Sequence, residues 1–254
     1  MKYLVPFAFL MLSWIGALWM MWRASKGIAP HVRHIAAFDA FDNAIGRASE
    51  MGRPVHFTTG YGGGGLYTRM SMDHMAGLSI LSYVAKKSAE METKVIVTLA
   101  FAEMIPIAED IIRNAGIAAG KPDYYQVDMI RYTVDNSEAY DALAMSVIPE
   151  EKCAANFVIG AVDSLNAIVV PMGGIIAGAI NIGGVRGSPA ALIPYCDFVM
   201  FGEEMPVAGA MIAEDIDSVS SIVSSDYAKL LTIIIIIVGS VMATLGLSTA
   251  WINW

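Results

Sequence analysis

The chain has 254 residues, of which 56% are hydrophobic and only 16% are charged, against about 25% in an average soluble domain. Its net charge of −8 argues against a nucleic-acid partner, because phosphate neutralisation needs a basic surface. Two cysteines, Cys153 and Cys196, indicate a reducing compartment and exclude a disulfide framework.

Both ends of the chain are apolar and free of charge over residues 3–22 and 230–252. A membrane-spanning helix needs about 20 apolar residues, so both stretches are long enough. The alternative for the first stretch is a cleaved signal peptide, but only Lys2 precedes a long apolar core. We therefore expect transmembrane helices at 3–22 and 230–252, with the lipid bilayer as a partner.

The basic residues beside these stretches predict an orientation. Arg23, Lys26 and Arg33 follow the first stretch, and Lys229 precedes the second. Short basic flanks stay on the cytoplasmic side of a membrane. We expect the middle of the chain to be cytoplasmic, with both termini outside.

The chain between the two stretches divides into three parts. Residues 23–50 are predicted to be a juxtamembrane linker ending in an amphipathic helix, because apolar side chains recur on one helical face over 35–50. Residues 51–206 form the predicted α/β domain. Residues 207–229 can be helical nearly throughout and are predicted to connect this domain stiffly to the second membrane helix.

Short β-rich runs alternate with helical runs across the predicted domain. The predicted strands cover 54–59, 94–100, 127–133, 155–162, 179–184 and 197–204, with helices at 71–92, 104–120 and 137–152. Strands that are apolar on both faces and alternate with helices indicate a parallel sheet covered on both sides. The predicted fold class is therefore α/β, a Rossmann-like, mostly parallel sheet of about six strands, flanked by the two transmembrane helices.

Residues 166–185 allow two interpretations. The stretch is apolar enough for a third membrane span, but Pro171 and several glycines interrupt it. We favour a buried helix followed by a strand, since helix–strand units repeat in this part of the chain. Whether residues 166–178 contact the membrane stays open.

A glycine-rich stretch, "FTTGYGGGGLYT" at 57–68, follows the first predicted strand. Gly60, Gly62 and Gly65 fit the dinucleotide pattern G-x-G-x-x-G, but any run of glycines fits it, and the next helix starts only at Ser71. The loop is either a ligand-contacting loop or a mobile, tight or subunit-packing turn, and we favour the turn. Alanine at Gly62 or Gly63 is then expected to change stability by about 1 kcal/mol or less unless φ is positive.

Ligands of doubly wound sheets bind beyond the carboxyl ends of the strands. The candidate ligand edge comprises Thr58, Thr59, Gly60, Gly62, Gly63, Gly65, Glu103, Asp163, Glu203 and Glu204. Converging carboxylates can bind a divalent metal or act as general acid and base. The alternative, which we favour, is that each acidic residue stabilises the start of a helix.

The histidines and cysteines do not form a recognisable catalytic or metal-binding set. His31 and His34 are expected beside the membrane, His56 packed on a strand, and His74 in the first turn of a helix. Cys153 and Cys196 have no histidine neighbour in sequence and are expected to be buried apolar residues. We expect no metal site, and the sequence leaves any cofactor open.

Three stretches, "EMGRPVHFTTGYGG", "AEDIIRNAG" and "CDFVMFGEEMPVAGAMIA", resemble the bacterial and archaeal family named domain of unknown function 6754. The resemblance covers roughly residues 35–250 and is most specific at "GRPVHF" and "DFVMFGEE". It implies a membrane-anchored α/β protein with a glycine-rich turn after the first strand. It implies no reaction and no catalytic residues, and the loop "YGGGGLYTRM" is longer here than the family's turn.

These observations favour a membrane-tethered cytoplasmic α/β domain that serves as a structural, assembly or ligand-sensing subunit of a homo-oligomeric membrane complex. Small residues at Gly239, Ala243 and Gly246 have spacing that lets membrane helices pack closely. Further small residues would also allow close helix approach, namely Gly173, Gly174, Ala177, Gly178, Ala208, Gly209 and Ala210. The alternative is a nucleotide- or metabolite-binding enzyme with its site at the glycine-rich loop and the carboxyl ends of the strands.

Overall fold

The structure is a computed structural model that describes residues 4–26, 35–187, 189–213, 219, 229–230, 232–241 and 244. The chain divides into two compact units, Met1–Arg33 with Glu214–Trp254, and His34–Ala213. Most of the predicted connecting helix at 207–229, together with His31 and His34, lies outside the described residues.

The first unit contains helix α1 (Leu4–Ser25) and a helical stretch at 232–241. Basic side chains at the end of α1 lie over its tryptophan rings. Arg23 Cζ is 4.9 Å from the centre of the Trp19 ring, and Lys26 Nζ is 3.5 Å from the centre of the Trp22 ring. Within the described part of the chain, no helix is both long enough and apolar enough to cross a membrane.

The second unit contains a six-stranded parallel sheet, as the sequence predicts. Its strands are β1 (Val55–Thr58), β2 (Val95–Leu99), β3 (Ile130–Tyr132), β4 (Ala155–Ile159), β5 (Ile180–Val185) and β6 (Phe198–Phe201). They lie in the order β3-β2-β1-β4-β5-β6, with every neighbouring pair parallel. The order reverses between β1 and β4, which makes this pair the topological switch point of the sheet.

Six helices cover the sheet on both faces. They are α2 (Ala36–Glu50), α3 (Ser71–Glu90), α4 (Ile105–Ala118), α5 (Ser137–Glu150), α6 (Asn166–Ala177) and α7 (Glu204–Ile212). Helices α5 and α6 pack together on one face, and α2, α3, α4 and α7 on the other. The predicted helix and strand within 166–185 are confirmed as α6 and β5.

Strand β3 is shorter than the predicted strand at 127–133, because Val127–Met129 form a 3-10 turn. Asp128 in this turn forms an ion pair with Lys94, 2.5 Å from Nζ to Oδ2, just before β2. The turn therefore brings the edge strand into register only from Ile130 onward, where it pairs with Val97.

The sheet face beneath α2 and α3 is apolar and aromatic. Phe57 and Phe157 stack with ring centres 6.3 Å apart, and Phe41 of α2 meets Phe157 edge-on at 5.0 Å. All three rings are fully buried. Helix α2 therefore contributes a central residue to the core of this unit, and aromatic pairs of this geometry add to the stability from burial.

The opposite face, beneath α5 and α6, carries a row of buried polar side chains. His56, Asn156 and Asn181 are directly opposite one another on β1, β4 and β5. His56 Nδ1 lies 2.7 Å from Asn156 Oδ1, and Asn156 Nδ2 donates to Asn181 Oδ1 at 2.8 Å. His56 Nε2 lies 2.9 Å from Thr98 Oγ1. We call these four side chains the polar row.

The hydrogen-bond partners fix the direction of each proton in the polar row. Asn156 uses Nδ2 as donor, also towards the Val170 carbonyl at 3.3 Å, so its Oδ1 accepts. His56 must therefore carry its proton on Nδ1 and accept from the Thr98 hydroxyl at Nε2. Burial lowers the pKa of His56 from 6.5 to about 4, and the Asn156 hydrogen bond offsets this only in part.

Gly174 lets α6 approach the polar row. A Cβ at this position would lie 2.8 Å from Asn156 Nδ2 and closer still to Asn181 Oδ1. The approach places the Pro171 carbonyl of α6 3.1 Å from Asn181 Nδ2, which donates to it. Gly173 and Gly209 likewise contact side chains or backbone of this unit, near Ile148 and Ala76. These small residues therefore serve packing inside the unit.

Arg53, in the stretch "GRPVHF", holds three carbonyls at the amino edge of the sheet. Its Nη2 donates to the carbonyls of Cys153 at 3.1 Å and Ala177 at 2.7 Å, and its Nε donates to that of Lys152. The ends of α5 and α6 leave such carbonyls without helical partners. Arg53 therefore fastens both helices to the start of β1, which gives this stretch a structural role.

We expect His56 to make stability depend on pH. Since the pKa is about 4 in the fold and 6.5 when unfolded, only the unfolded chain gains a proton between these values. The free energy of unfolding should then fall by up to about 3 kcal/mol from pH 7 to pH 4 and be flat above pH 7. Urea unfolding of the wild type and of His56→Gln at several pH values measures the contribution of His56. If the free energy of unfolding depended on pH equally in the two proteins, the prediction would be contradicted. The difference between the two proteins is needed because burial raises the pKa of Asp73 and Asp141, which contribute with the opposite sign.

Candidate functional site

The glycine-rich loop lies at the switch point, between the ends of β1 and β4. It runs from Thr59 to Met70, and α3 begins at Ser71. Two neighbouring loops contact it, one after β4 at Ala161 and one after β2 at Glu103. The structure therefore brings the first six candidate residues and Glu103 together at one edge, where a doubly wound sheet binds ligands.

Gly60 and Gly62 are pressed against the loop that follows β4. A Cβ at Gly62 would lie 2.6 Å from the Ala161 carbonyl oxygen, and one at Gly60 would lie 2.8 Å from a Val162 methyl. Gly60 also has a φ of +78°, which favours glycine. The loop is a tight turn here. The expectation that Gly62→Ala costs about 1 kcal/mol or less is therefore wrong, because the backbone contact leaves no space for a methyl group.

The distal half of the loop is held by Glu103 and Met70. Glu103 Oε1 accepts a hydrogen bond from the Leu66 N–H at 3.2 Å, beside Gly65 with φ +81°. Gly63, with φ +67°, packs so closely on Met70 that a Cβ would lie 2.7 Å from its Cγ. An acid after β2 is where dinucleotide-binding folds recognise a ribose. In this chain that carboxylate holds the loop.

Tyr61 places an aromatic ring at the crevice between β1 and β4. Its ring stacks on Phe101 with centres 5.1 Å apart and lies 6.2 Å from that of Tyr140. Its backbone N–H donates to Asn166 Oδ1 of α6 at 3.2 Å. Tyr61, between the two packed glycines, therefore fixes the loop to α6.

Thr58 and Thr59 point into the protein. Thr58 Oγ1 donates to the Thr98 carbonyl at 2.8 Å, so the Tyr140 hydroxyl, 2.6 Å away, donates to it. Gly60 N–H donates to the same oxygen at 3.1 Å. Thr59 Oγ1 donates to Met104 Sδ at 3.5 Å. Both hydroxyls are fully buried, so they serve the fold.

Of the remaining candidate carboxylates, Asp163 lies beside the loop and Glu203 and Glu204 lie far from it. Asp163 Oδ1 accepts from the N–H groups of Leu165 and Asn166, each at 3.0 Å, at the start of α6. Glu204 Oε2 accepts from Phe201 N–H at 2.7 Å, and Glu203 is at the N-cap position of α7. Because β4 and β5 separate β1 from β6, the glutamates lie about 14 Å along the sheet from the glycine-rich loop.

The start of α3 already carries a negative charge. Asp73 is buried in its first turn, and Arg186 Nε lies 3.1 Å from Asp73 Oδ1. His74 Nε2 lies 3.0 Å from the Gly62 carbonyl and donates to it, while burial lowers the pKa of His74. A helix start attracts phosphate only where its N–H groups and dipole are open. Asp73 instead takes the place of an anion.

Sequence reasoning missed Asp141 and Asn166. Asn166 Nδ2 donates to Asp141 Oδ1 at 2.6 Å, while Asp141 Oδ2 has no hydrogen-bond partner among the described residues. Burial raises the pKa of Asp141, and the charges of Asp163 and Glu138 raise it further. A signal existed in the sequence, since Asp141 lies on the same helical face as the buried residues Ala144 and Ile148.

The described residues contain neither a three-residue metal cluster nor an activated thiol. In the described ranges, no three His, Cys, Asp or Glu side chains are arranged to hold a metal ion. Burial raises the pKa of the Cys153 and Cys196 thiols to about 12, so neither is an activated nucleophile. The arrangement offers hydrogen-bond acceptors, negative charge and aromatic rings.

Comparison with known proteins gives one family. No curated protein and no solved structure matches the chain. The model of the family described as domain of unknown function 6754 matches residues 2–252. This match covers both compact units, including the glycine-rich loop and the stretches that hold β1 and β6. The chain therefore belongs to the family of domain of unknown function 6754.

Proposed function

We propose that this chain is a membrane-tethered α/β subunit that senses a ligand and does not catalyse a reaction. One observation carries the non-catalytic part of the proposal: three candidate carboxylates accept hydrogen bonds from backbone N–H groups. Glu103 holds the glycine-rich loop, Asp163 caps α6, and Glu204 closes the turn after β6. Carboxylates bound in this way stabilise local structure and are poor candidates for general acid and base.

The tight loop and the carboxylates beside it support binding of a ligand that has no phosphate. Gly60 and Gly62 already contact Ala161, and Tyr61 stacks on Phe101 in the crevice. The nearby charges are negative, which disfavours a nucleotide. A small molecule that binds beside Tyr61 would instead alter the contacts between the loop and α6.

Membrane tethering is the part of the proposal that the sequence carries. The stretches 3–22 and 230–252 contain no charge. Large apolar side chains of α1 are also exposed, including Phe7 at 63% and Trp14 at 64%. Exposed apolar surface of this extent favours lipid or a partner. We propose that the α/β unit is cytoplasmic and both termini are outside.

Cysteine labelling in intact cells tests this orientation. In a Cys196→Ser background, Ser25→Cys should be shielded from a membrane-impermeant thiol reagent until the cells are opened. A tag after Trp254 should be accessible from outside, and Ser164→Cys in the α/β unit is the shielded control. Labelling of Ser25→Cys in sealed cells would contradict the orientation.

Self-association completes the proposal. Gly173, Gly174 and Gly209 are used for packing inside the α/β unit, so the argument rests on the spacing of Gly239 and Ala243 in the second apolar stretch. We propose contacts between copies of this stretch in a homo-oligomer, through close approach of helix backbones.

The alternative, a nucleotide- or metabolite-binding enzyme, is favoured by the strand order. The order β3-β2-β1-β4-β5-β6 is that of dinucleotide-binding folds, and the glycine-rich loop follows β1 as it does there. The contacts of Tyr61 and the carboxylate of Asp73 at the start of α3 argue against this alternative.

A thermal-shift experiment separates the two functions. NAD, NADP, ATP and GTP should leave the melting temperature of the full chain in mild detergent unchanged. A bound nucleotide at 100 times its dissociation constant would add about 2.7 kcal/mol, which is a visible shift. A reproducible shift that is reduced in Gly64→Ala, at the exposed tip of the loop, would instead establish nucleotide binding.

A further inference from the structure

Four carboxyl groups surround Tyr61 at the carboxyl edge of the sheet. Burial raises the pKa of Tyr61, and the charges of the nearby carboxylates Asp135, Glu138 and Asp163 raise it further. Asp141 is linked to the Tyr61 backbone through Asn166. In the part of the chain that the structure describes, none of these four carboxyl groups forms an ion pair with a basic side chain.

Asp141 supplies an independent indication of a ligand. Its side chain is only 5% exposed, and Asp141 Oδ2 has no hydrogen-bond partner among the described residues. Its other oxygen is oriented by Asn166 Nδ2 at 2.6 Å. A buried carboxylate oxygen without a donor is unfavourable. Because the charges of Asp163 and Glu138 lie nearby, Asp141 Oδ2 is suited to accept from a positively charged donor.

The chemistry of the edge selects the kind of donor. Carboxylates accept hydrogen bonds, and an aromatic ring face attracts a cation. Calcium would need six to eight oxygen ligands, and no described group of three His, Cys, Asp or Glu residues is arranged around a metal. An ammonium group needs only two or three acceptors, which the edge can provide.

We propose that Tyr61, Asp141 and Asp163 form a binding site for the primary ammonium group of a small organic amine. Asp141 Oδ2 accepts one N–H, the Asp163 oxygen that does not cap α6 accepts a second, and the Tyr61 ring covers the cation. The Tyr61 side chain first turns aside to admit the amine and then closes over it, while its backbone stays fixed between Gly60 and Gly62. This inference rests on the proposed ligand-sensing function and names the ligand class.

The test uses the full chain in mild detergent with 1,4-diaminobutane as the probe and 1,4-butanediol as its uncharged analogue. The diamine should raise the melting temperature and give a saturable calorimetric titration, whereas the diol should do neither. Asp141→Asn keeps the oxygen that accepts from Asn166 and should weaken diamine binding at least tenfold. Asp110→Asn, the same change on exposed α4, should leave binding unchanged.

A second variant keeps the test decisive if Asp141→Asn does not fold. Tyr61→Leu keeps the backbone hydrogen bond to Asn166 and removes the aromatic face, so diamine affinity should fall several-fold. Equal binding by wild type, Asp141→Asn and Tyr61→Leu would overturn the inference, as would stabilisation by calcium chloride in place of the diamine. If neither the diamine nor any nucleotide shifts the melting temperature, only the amine site is overturned. A shift with a nucleotide would instead contradict the proposed function itself.

Discussion

Gly60→Ala should lower the free energy of unfolding by about 3 kcal/mol. The added methyl group would press on the Ala161 carbonyl and a Val162 methyl, and overpacking of this kind costs about 1 to 3 kcal/mol. The φ of +78° adds about 1 to 2 kcal/mol for a residue with a Cβ. Urea unfolding of the full chain measures the sum.

Gly52→Ala is the matched control for this prediction. Gly52 has a similar φ of +61°, but a Cβ there would meet nothing within 4 Å. Its replacement should therefore cost only the backbone part, about 1 kcal/mol. Equal losses in the two variants would show that Gly60 is not in tight contact with the loop after β4. The turn at the switch point would then be open enough for a ligand.

Asn156→Leu should be at least as damaging, with a loss of about 4 kcal/mol. The leucine would leave the His56 Nδ1 proton and Asn181 Oδ1 buried without partners, and each costs about 1 to 3 kcal/mol. The Val170 carbonyl keeps its hydrogen bond within α6, so losing its second bond, from Asn156 Nδ2, costs little. Equilibrium unfolding in urea is again the measurement.

Asn114→Leu makes the same substitution on the exposed face of α4 and should change stability by no more than about 0.5 kcal/mol. A loss below about 1 kcal/mol for Asn156→Leu would show that the polar row relaxes or admits water.

His56→Gln combined with Asn156→Leu should cost less than the sum of the single changes, because the two residues share one hydrogen bond.

The polar row explains why the two sheet faces differ. His56, Asn156 and Asn181 are in register on neighbouring strands, where a shift of one residue would place them against the aromatic face. We infer that the row fixes strand register and the position of α6, since any other pairing leaves these groups without partners. Thr58, beside Thr98 of the polar row, accepts from the Tyr140 hydroxyl near the glycine-rich loop.

The sequence by itself determined the class of fold. Apolar runs such as 94–100 and 155–162, separated by helical periodicity, predicted a parallel sheet, and β2 and β4 lie within those runs. This worked because burial on both faces of a strand leaves a local signature that does not depend on distant partners. The absence of a helix directly after the glycines was also readable locally, and α3 begins only at Ser71.

Only the tertiary structure decided what the glycines and carboxylates do. That Gly62 touches Ala161 depends on β1 and β4 being neighbours although about 100 residues separate them in the chain. Likewise, Asp163 and Glu203 both follow strands. The strand order places Asp163 beside Tyr61, whereas Glu203 follows β6, three strands from β1. Sequence specifies each loop's residues, but the order of strands decides which loops meet. Site geometry is therefore a property of long-range packing.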